Sequence, residues 1–452
     1  MSFTTTVFSD LAAKYSSWDA LRVFLQSPEG GKLRIVTTEH DDLAIIRYTK
    51  GVSSFDKEHV PYFRSVVWSK SANAPVAVAP IKALPGNPEA GVELRATDFV
   101  DGTMFHAFRL ADGNVRVATR TSLDARGTFY SSRSFAELLD DAFKVVGGTK
   151  KFLESVLKEG EFASLVLQHP EHKTVASLAQ PRVYVTYMGS CLGEEGLRMS
   201  ALPSDWPERF ALYAPQVYEE CVEFADSKDA FHMMRARSTT LGFAWQGMVF
   251  QELASGRRWR LRNSAYVAVR SLRGAEANPM ERFLRLRSQG TMKKYLEHFR
   301  DESNQMWAFE QTLRQRSQEL YTAYNEMNKL KTKTMKQLPY CLRPHVYALH
   351  GLYLASLPKD GSRAPADKVV PILKQRVVQY VNDLPLDEQL KLMQGDRVPL
   401  AAAPSAQAEE APAAEAEEDA DAQPEDADAQ AEDAEDAEDA DAQAEDEDAE
   451  EA

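Results

Sequence analysis

Five basic side chains, Arg64, Lys82, Arg120, Arg260 and Arg262, carry the clearest chemical potential in this 452-residue chain. Arginine presents a planar fork of donors that grips phosphate at two points, and lysine adds a point charge. The five could converge on one phosphate cluster. Arg260 and Arg262 are also alternate residues of a strand-like run, the pattern of a half-buried sheet's wet face. Between Lys82 and Arg120 lies Thr97-Asp98-Phe99-Val100-Asp101-Gly102-Thr103-Met104. Asp-Gly is a common turn dipeptide, and the residue two before Asp101 is Phe99, whose ring has no lone pair for nucleophilic attack. Tyr62, Phe63, Trp68 and Trp245 stand beside basic positions. Stacking on the bases of single-stranded RNA is one reading of them; core packing is the other, and the expected one for Phe63 and Trp245.

Other candidates are weaker. His169-Pro170-Glu171-His172 sets two imidazoles three apart around a carboxylate, but proline breaks a helical face and no third ligand accompanies them. A surface turn after a strand is expected. His345 and His350, five apart on a predicted helix, do not share a face. Neither pair is assigned a catalytic or metal-binding role. Lys70 and Lys144 have no motif around them.

The net charge of −15 conceals two unlike parts. Residues 401–452 hold 23 Asp and Glu and no Lys or Arg. Removing those 23 from the total of 68 acids leaves 45 against 53 Lys and Arg, so the body carries +8. A mildly basic body suits a phosphate-bearing partner. Cys191, Cys221 and Cys341 are far apart, without metal-ligand or disulfide spacing, which fits a reducing compartment. There is no apolar span of about 18 residues and no signal-peptide pattern at Met1-Ser2-Phe3. A soluble intracellular protein without membrane contact is expected.

The first two-thirds of the chain read as short strands with intervening helices. Residues 32–36, 43–48 and 75–80 are apolar runs bounded by turn residues. Residues 104–110 and 115–119 flank Ala111-Asp112-Gly113-Asn114, a hairpin pattern. Helices are predicted over 134–146, 150–158 and 214–228. From about Asn278 the period turns helical: Met292, Tyr295, Leu296 and Phe299 share a face, as do Met306, Phe309 and Leu313. Val370, Leu373, Val377, Val378 and Val381 mark a later helix. Residues 401–452 cannot bury enough apolar surface to fold alone and are predicted to be a disordered acidic tail. It acts either as a solubilising segment, the favoured reading, or as a tethered nucleic-acid mimic at ~mM effective concentration.

The order of these segments resembles the RNA-ligase-like proteins of nucleocytoplasmic large DNA viruses and, more distantly, the RNA ligases of tailed phages. Those enzymes belong to the covalent nucleotidyltransferases, which share Lys-x-Asp-Gly. Arg64-Ser65-Val66-Val67-Trp68 is similar to their upstream arginine strand. Lys82, Asn87 and Glu89 fall in the stretch before the nucleophile motif, and Val117 to Arg120 follow the hairpin after it. Leu165 to His172 resemble the third motif, Gln246 to Phe250 the fourth, and Arg260 to Asn263 the fifth. Pro339 to Leu354 resemble the viral group's helical part. The likeness spans roughly residues 30–390. Against the family pattern, Phe99 stands where the nucleophile lysine belongs, Val166 and Gln246 where two glutamates belong, and Arg260 and Arg262 for two lysines. The changes remove reactive and metal-facing groups and keep positive charge.

The resemblance implies an α+β nucleotidyltransferase (ligase-like) domain with antiparallel sheets over 1–277, a helical domain over 278–400 and the acidic tail over 401–452. It implies a catalytically degenerate homologue that binds RNA or a nucleotide without covalent transfer. The implied phosphate site is Arg64, Lys82, Asp101, Gly102, Arg120, Arg260 and Arg262, with no catalytic residue and no metal site. The alternatives are an active ATP-dependent RNA ligase with a non-standard nucleophile, and a virion or assembly protein that reuses the fold as a scaffold. ATP or GTP with Mg²⁺ would be the cofactor of a retained ligase site. Other viral proteins are further expected partners, and host cytoplasm or virion the expected location.

Overall fold

A computed structural model describes residues 2–396, apart from 39–40, 87, 89–93, 129–132, 173, 192–196, 201–216, 219–226, 277 and 358–369. The acidic segment 401–452, Asn87, Glu89, Cys221 and most of the helix predicted over 214–228 lie outside the described residues. The chain divides into two compact units, with the division between Ala277 and Asn278.

The first unit is α+β. In chain order its strands are β1 (Ser2–Thr5), β2 (Arg34–Thr37), β3 (Leu43–Arg47), β4 (Val66–Ser69), β5 (Ala74–Val78), β6 (Leu84–Pro85), β7 (Leu94–Asp98) and β8 (Thr103–Arg109). Then follow β9 (Val115–Thr119), β10 (Glu161–Gln168), β11 (Arg182–Ser190), β12 (Leu197–Ser200), β13 (Val217–Tyr218), β14 (Gly247–Glu252) and β15 (Arg258–Arg262). They form three sheets, ordered β1-β12-β11-β10-β8-β9, β13-β7-β14-β15-β6 and β2-β3-β4-β5. Pairing is antiparallel throughout except for the short parallel contact of β15 with β6.

Local sequence explains the joints. The β8–β9 hairpin closes through Ala111–Asn114, with Gly113 at φ +84° and the Asp112 carboxylate accepting from the Asn114 N–H. The helix Phe135–Phe143 starts with a capping box in which Ser134 and Glu137 satisfy each other's backbone N–H groups. Its face of Phe135, Leu138, Leu139 and Phe143 packs with Phe105, Leu165 and Val185 of the six-stranded sheet. A second core joins the four-stranded sheet to the N-terminal helices Val7–Lys14 and Trp18–Gln26, with Trp68 and Phe63 fully enclosed. A third, smaller core groups Trp245, Met248, Phe250 and Trp259 around β14. Burying such aromatic side chains contributes about 1.5–3 kcal/mol each. Trp68 is therefore core and cannot stack on a base, and Phe63 and Trp245 are buried as expected.

Two sequence expectations are corrected here. Val217–Tyr218 are a strand paired with Ala96 and Thr97 of β7, and the helix of this region runs Ser227–Leu241. Edge pairing with an existing sheet decides that segment more strongly than its helical composition. His169 and His172 do follow β10 in a turn, but both imidazoles are buried and not at the surface. Thr103 lies 3.3 Å from His172 Nδ1, and the Phe135 ring packs edge-on against the same imidazole.

The second unit is helical, with helices Pro279–Ser288, Met292–His298, Ser303–Tyr324, Arg343–Ala355, Lys374–Asn382 and Leu386–Gln394. Val370 and Leu373 precede the Lys374–Asn382 helix instead of joining it. Inside the unit, the buried Arg282 guanidinium donates to Glu302 at 3.2 Å and to the Tyr295 hydroxyl oxygen at 3.2 Å. The Tyr295 hydroxyl in turn donates to Glu302 at 2.6 Å, so this buried charge is paired and hydrogen-bonded. No helix among the described residues is long and apolar enough to cross a membrane.

Candidate functional site

The end of β7, the start of β8 and the strands β14 and β15 wall a cleft of about 190 Å³ in the first unit. Pairing of β14 between β7 and β15 sets Thr97 opposite Val249 and Val249 opposite Arg260. Residues far apart in sequence thus share one wall. The turn Phe99–Gly102 forms another. It is tied to β14 by the Phe99 N–H, which donates to Gly247 O at 2.9 Å. On its other side Gln168 Nε2 donates to Asp101 O, and the Asp101 carboxylate accepts from Val175 N at 2.8 Å.

Gly102 and Gly247 make those approaches possible. A Cβ on Gly102 would lie 2.5 Å from Leu167 O, and one on Gly247, at φ +139°, 2.1 Å from Leu261 O. Only glycine fits either place.

Six of the seven residues expected to form a phosphate site line this cleft: Arg64, Lys82, Asp101, Gly102, Arg120 and Arg260. Arg262 does not line it; its guanidinium sits 5.4 Å from the centre of the Phe99 ring. Phe99, Val166 and Gln246 also line the cleft. The cleft further gathers Arg95, Arg258 and Asp98, which sequence reasoning missed. Arg258 and Arg95 sit in strand runs where charge alternation alone cannot separate a site from a solvated face. The alternate positions Arg258, Arg260 and Arg262 were the available signal.

The lining holds six cationic side chains, Arg64, Lys82, Arg95, Arg120, Arg258 and Arg260, against the two carboxylates Asp98 and Asp101, a formal net of +4. Burial, together with repulsion from Arg64 and Arg260, pulls the Arg258 guanidinium down to about 10, and its Nη1 donates to Ile81 O at 3.2 Å. Arg260 Nη1 donates to Ala83 O at 2.9 Å. The Lys82 amine lies over the rings of Phe55, at 4.1 Å, and Tyr48, at 5.2 Å. Arg120 stacks on the same Tyr48 ring at 5.1 Å, while its Nε donates to Arg64 O at 3.2 Å. Arg120 therefore fixes the backbone that presents Arg64.

A buried relay supports that backbone. The Ser65 hydroxyl donates to Arg120 O at 3.3 Å, so its oxygen accepts from His106 Nε2 at 3.0 Å. Burial and the nearby Arg64 charge hold the His106 imidazole far below its usual range, at about 3.

The donor set is poor for a protein-held Mg²⁺: two carboxylates line the cleft, and each has one oxygen engaged by an N–H donor. Asp98 Oδ1 accepts from Trp245 Nε1 at 2.8 Å, and Asp101 Oδ2 accepts from Val175 N at 2.8 Å. Gln246 and Val166 offer no anionic oxygen. Among the described residues no group of three His, Cys, Asp or Glu side chains is placed to hold a metal ion. Gln246 is 4% exposed, and its Oε1, at the cleft wall, has no hydrogen-bond partner among the described residues. Asn263, next to the Arg260–Arg262 strand, is structural: its Oδ1 caps the helix Ser264–Arg273 at Ala265 N, and its Nδ2 donates to Gly242 O and Trp245 O.

No family model matches the chain, and no curated protein matches it. Among solved structures it is similar to an archaeal ATP-dependent RNA ligase, form 2, with 10% identity and a TM-score of 0.34, covering 59% of this chain and 66% of that one, just under two thirds. An archaeal ATP-dependent RNA ligase, form 1, aligns at 12% identity and a TM-score of 0.32, over 67% of this chain and 77% of that one. A protein assigned as an ATP-dependent DNA ligase from Aquifex aeolicus aligns at 14% identity and a TM-score of 0.34, over 75% of this chain and 79% of that one.

Proposed function

We propose that residues 1–277 are a ligase-like nucleotidyltransferase domain that has kept an anion-binding cleft and lost covalent chemistry. On this reading the protein binds RNA or a nucleotide through its phosphates and transfers nothing to itself. One observation carries the proposal: six cations and two committed carboxylates line one cleft whose nucleophile position is a phenyl ring. Clustered like charges inside a protein repel, and a bound polyanion relieves that repulsion. The Gln246 carbonyl oxygen adds an acceptor for a ligand N–H or O–H, since leaving it unmade costs about 1–3 kcal/mol.

The roles divide by geometry. Arg64, Arg258 and Arg260 supply charge to the phosphates, with Arg95 widening the basic wall. Arg120 and Tyr48 position Arg64 and Lys82. Asp101 and Gly102 shape the turn and do not contact a metal. Arg262, stacked on Phe99, holds that ring in place of a nucleophile.

Binding of α-labelled ATP, GTP and a 5′-phosphorylated oligoribonucleotide, in the wild type and in Arg64→Ala with Arg260→Ala, tests the reading. Each charged hydrogen bond lost costs about 1.5–3 kcal/mol, so the double variant should bind at least tenfold more weakly. Equal affinity in a folded double variant would return these arginines to a solvated sheet face. A second reading, an active ligase, has one observation in its favour: the Lys82 amine lines the same cleft. It predicts a labelled adduct that disappears in Lys82→Ala.

A further inference from the structure

The helical unit carries a basic surface of its own, apart from the cleft. Between Glu326 and Asp360 the sequence has no acidic residue and six Lys or Arg. The long helix ends in a π-helical turn, Asn325–Lys329, after which Lys331 takes a left-handed backbone at φ +54°. A non-glycine residue there is uncommon and marks a constrained turn. Lys331, Lys333 and Lys336 are exposed along the segment that follows. Two large aromatic side chains beside it are open to solvent, Tyr340 at 74% and Tyr347 at 75%.

The chain leaves the described residues at this surface. Asp396 accepts from two consecutive backbone N–H groups, Tyr340 at 2.7 Å and Cys341 at 2.6 Å. Those bonds, with the Arg343 charge nearby, hold its carboxyl below the ordinary range. Arg343 lies 5.7 Å from the Tyr340 ring centre and donates from Nη2 to Lys336 O at 2.9 Å. Arg316 closes the other side, so near that a Cβ on Gly395 would meet its Nη2 at 2.4 Å. The first carboxylate at the exit is thus already seated on the Tyr340–Cys341 backbone beside the Arg343 charge. Beyond it come 23 more Asp and Glu in 401–452, with no Lys or Arg.

We propose that the acidic segment 401–452 docks on the basic face formed by Lys331, Lys333, Lys336 and Arg343 of the same chain. Only 12 residues separate Asp396 from Glu409, the first of those acids, a reach of up to ~40 Å. A unit of about 110 residues has a radius of gyration near ~13–14 Å, so the reach covers it. Tethering sets an effective concentration of ~mM, enough for a weak electrostatic contact to be largely formed. Because opposite charges are screened beyond about 8 Å at physiological salt, the segment must lie on the surface to interact. Docking at this face does not depend on the cleft or on any nucleotide bound there.

Zero-length carbodiimide coupling of the full chain tests it, because the acidic segment has carboxylates and no lysine of its own. Peptide mapping should place its cross-links mainly on Lys331, Lys333 and Lys336, with loss above about 0.5 M salt. The triple variant Lys331→Glu, Lys333→Glu, Lys336→Glu should lose at least nine-tenths of them while circular dichroism stays unchanged. Amide exchange over 331–347 should slow in the full chain relative to one ending at Leu400. Cross-links concentrated on Lys82, or spread evenly over all lysines, would overturn the proposal. So would equal exchange in the two chains, and so would equal binding of a labelled oligouridylate to this face with and without 401–452, which would make it a nucleic-acid surface.

Discussion

The Arg262 guanidinium lies over the Phe99 ring, 5.4 Å from its centre. The pairing is a cation–π contact, worth about 0.5–2 kcal/mol when partly desolvated. It ties β15 to the turn that ends in Gly102, across Gly247.

Phe99→Lys is expected not to restore nucleotidyl transfer. The new ammonium would face Arg262, a repulsion of about 3 kcal/mol at 5 Å and an effective dielectric of about 20. Gln246 and Val166 would still offer no anionic metal ligand. The check is a labelling assay paired with thermal denaturation: no adduct and a lowered Tm are expected. An adduct in this single variant would show that the other substitutions are compatible with catalysis.

Anion binding in the cleft should not need a divalent metal. The protein's own cations supply the charge, and both lining carboxylates are engaged by N–H donors. Titration of ATP with and without excess EDTA should give affinities within about twofold, and affinity should fall as salt rises because phosphate contacts are the screened part of binding. A tenfold loss on chelation would locate a metal site that the donor set does not predict.

Stability should fall as pH drops below about 6.5. The His106 imidazole is held at about 3 and that of His172 at about 4, both chiefly by burial, so the folded chain binds fewer protons than the unfolded chain in that window. A depressed folded-state value contributes stability that is full above the unfolded value and lost on acidification towards the folded one. Each such group adds a slope of about 1.4 kcal/mol per pH unit. His106→Gln should flatten the dependence of Tm on pH between 6.5 and 4 by one proton's worth, leaving the shares of His172, His169 and His345, whose imidazoles burial also holds below their usual range. Parallel curves for the two proteins would contradict the assignment.

Much of the first unit was readable because its patterns are short-range. The β8–β9 hairpin follows from Asp112-Gly113-Asn114, and the helix after Ser134 from its capping box. The basic positions were visible as residue types at strand ends. Arg95 and Arg258 were not, because their convergence depends on which strands neighbour β14, a long-range choice that no local pattern fixes. Tyr48 likewise gains its role only when Lys82 and Arg120 arrive over its ring. The burial of His169 and His172 escaped notice because a His-Pro-Glu-His turn has surface composition, whereas Phe135 and Thr103 cover it from distant elements.

Gly102→Ala should destabilise the first unit by about 1–3 kcal/mol, since the added methyl meets Leu167 O at 2.5 Å and the backbone must shift. Denaturant unfolding measures it directly. A change under about 0.5 kcal/mol would mean that the turn is more accommodating than its geometry.

Phosphate binding in the cleft without covalent transfer, as proposed, separates a binding protein from a ligase. Incubating the full chain with α-labelled ATP and, separately, GTP in Mg²⁺ tests it most directly, with the label followed first by native filter retention and then on a denaturing gel. Label should be retained under native conditions, with none on the denatured protein. A labelled band that survives denaturation, and vanishes in Lys82→Ala, would contradict this reading and identify the nucleophile.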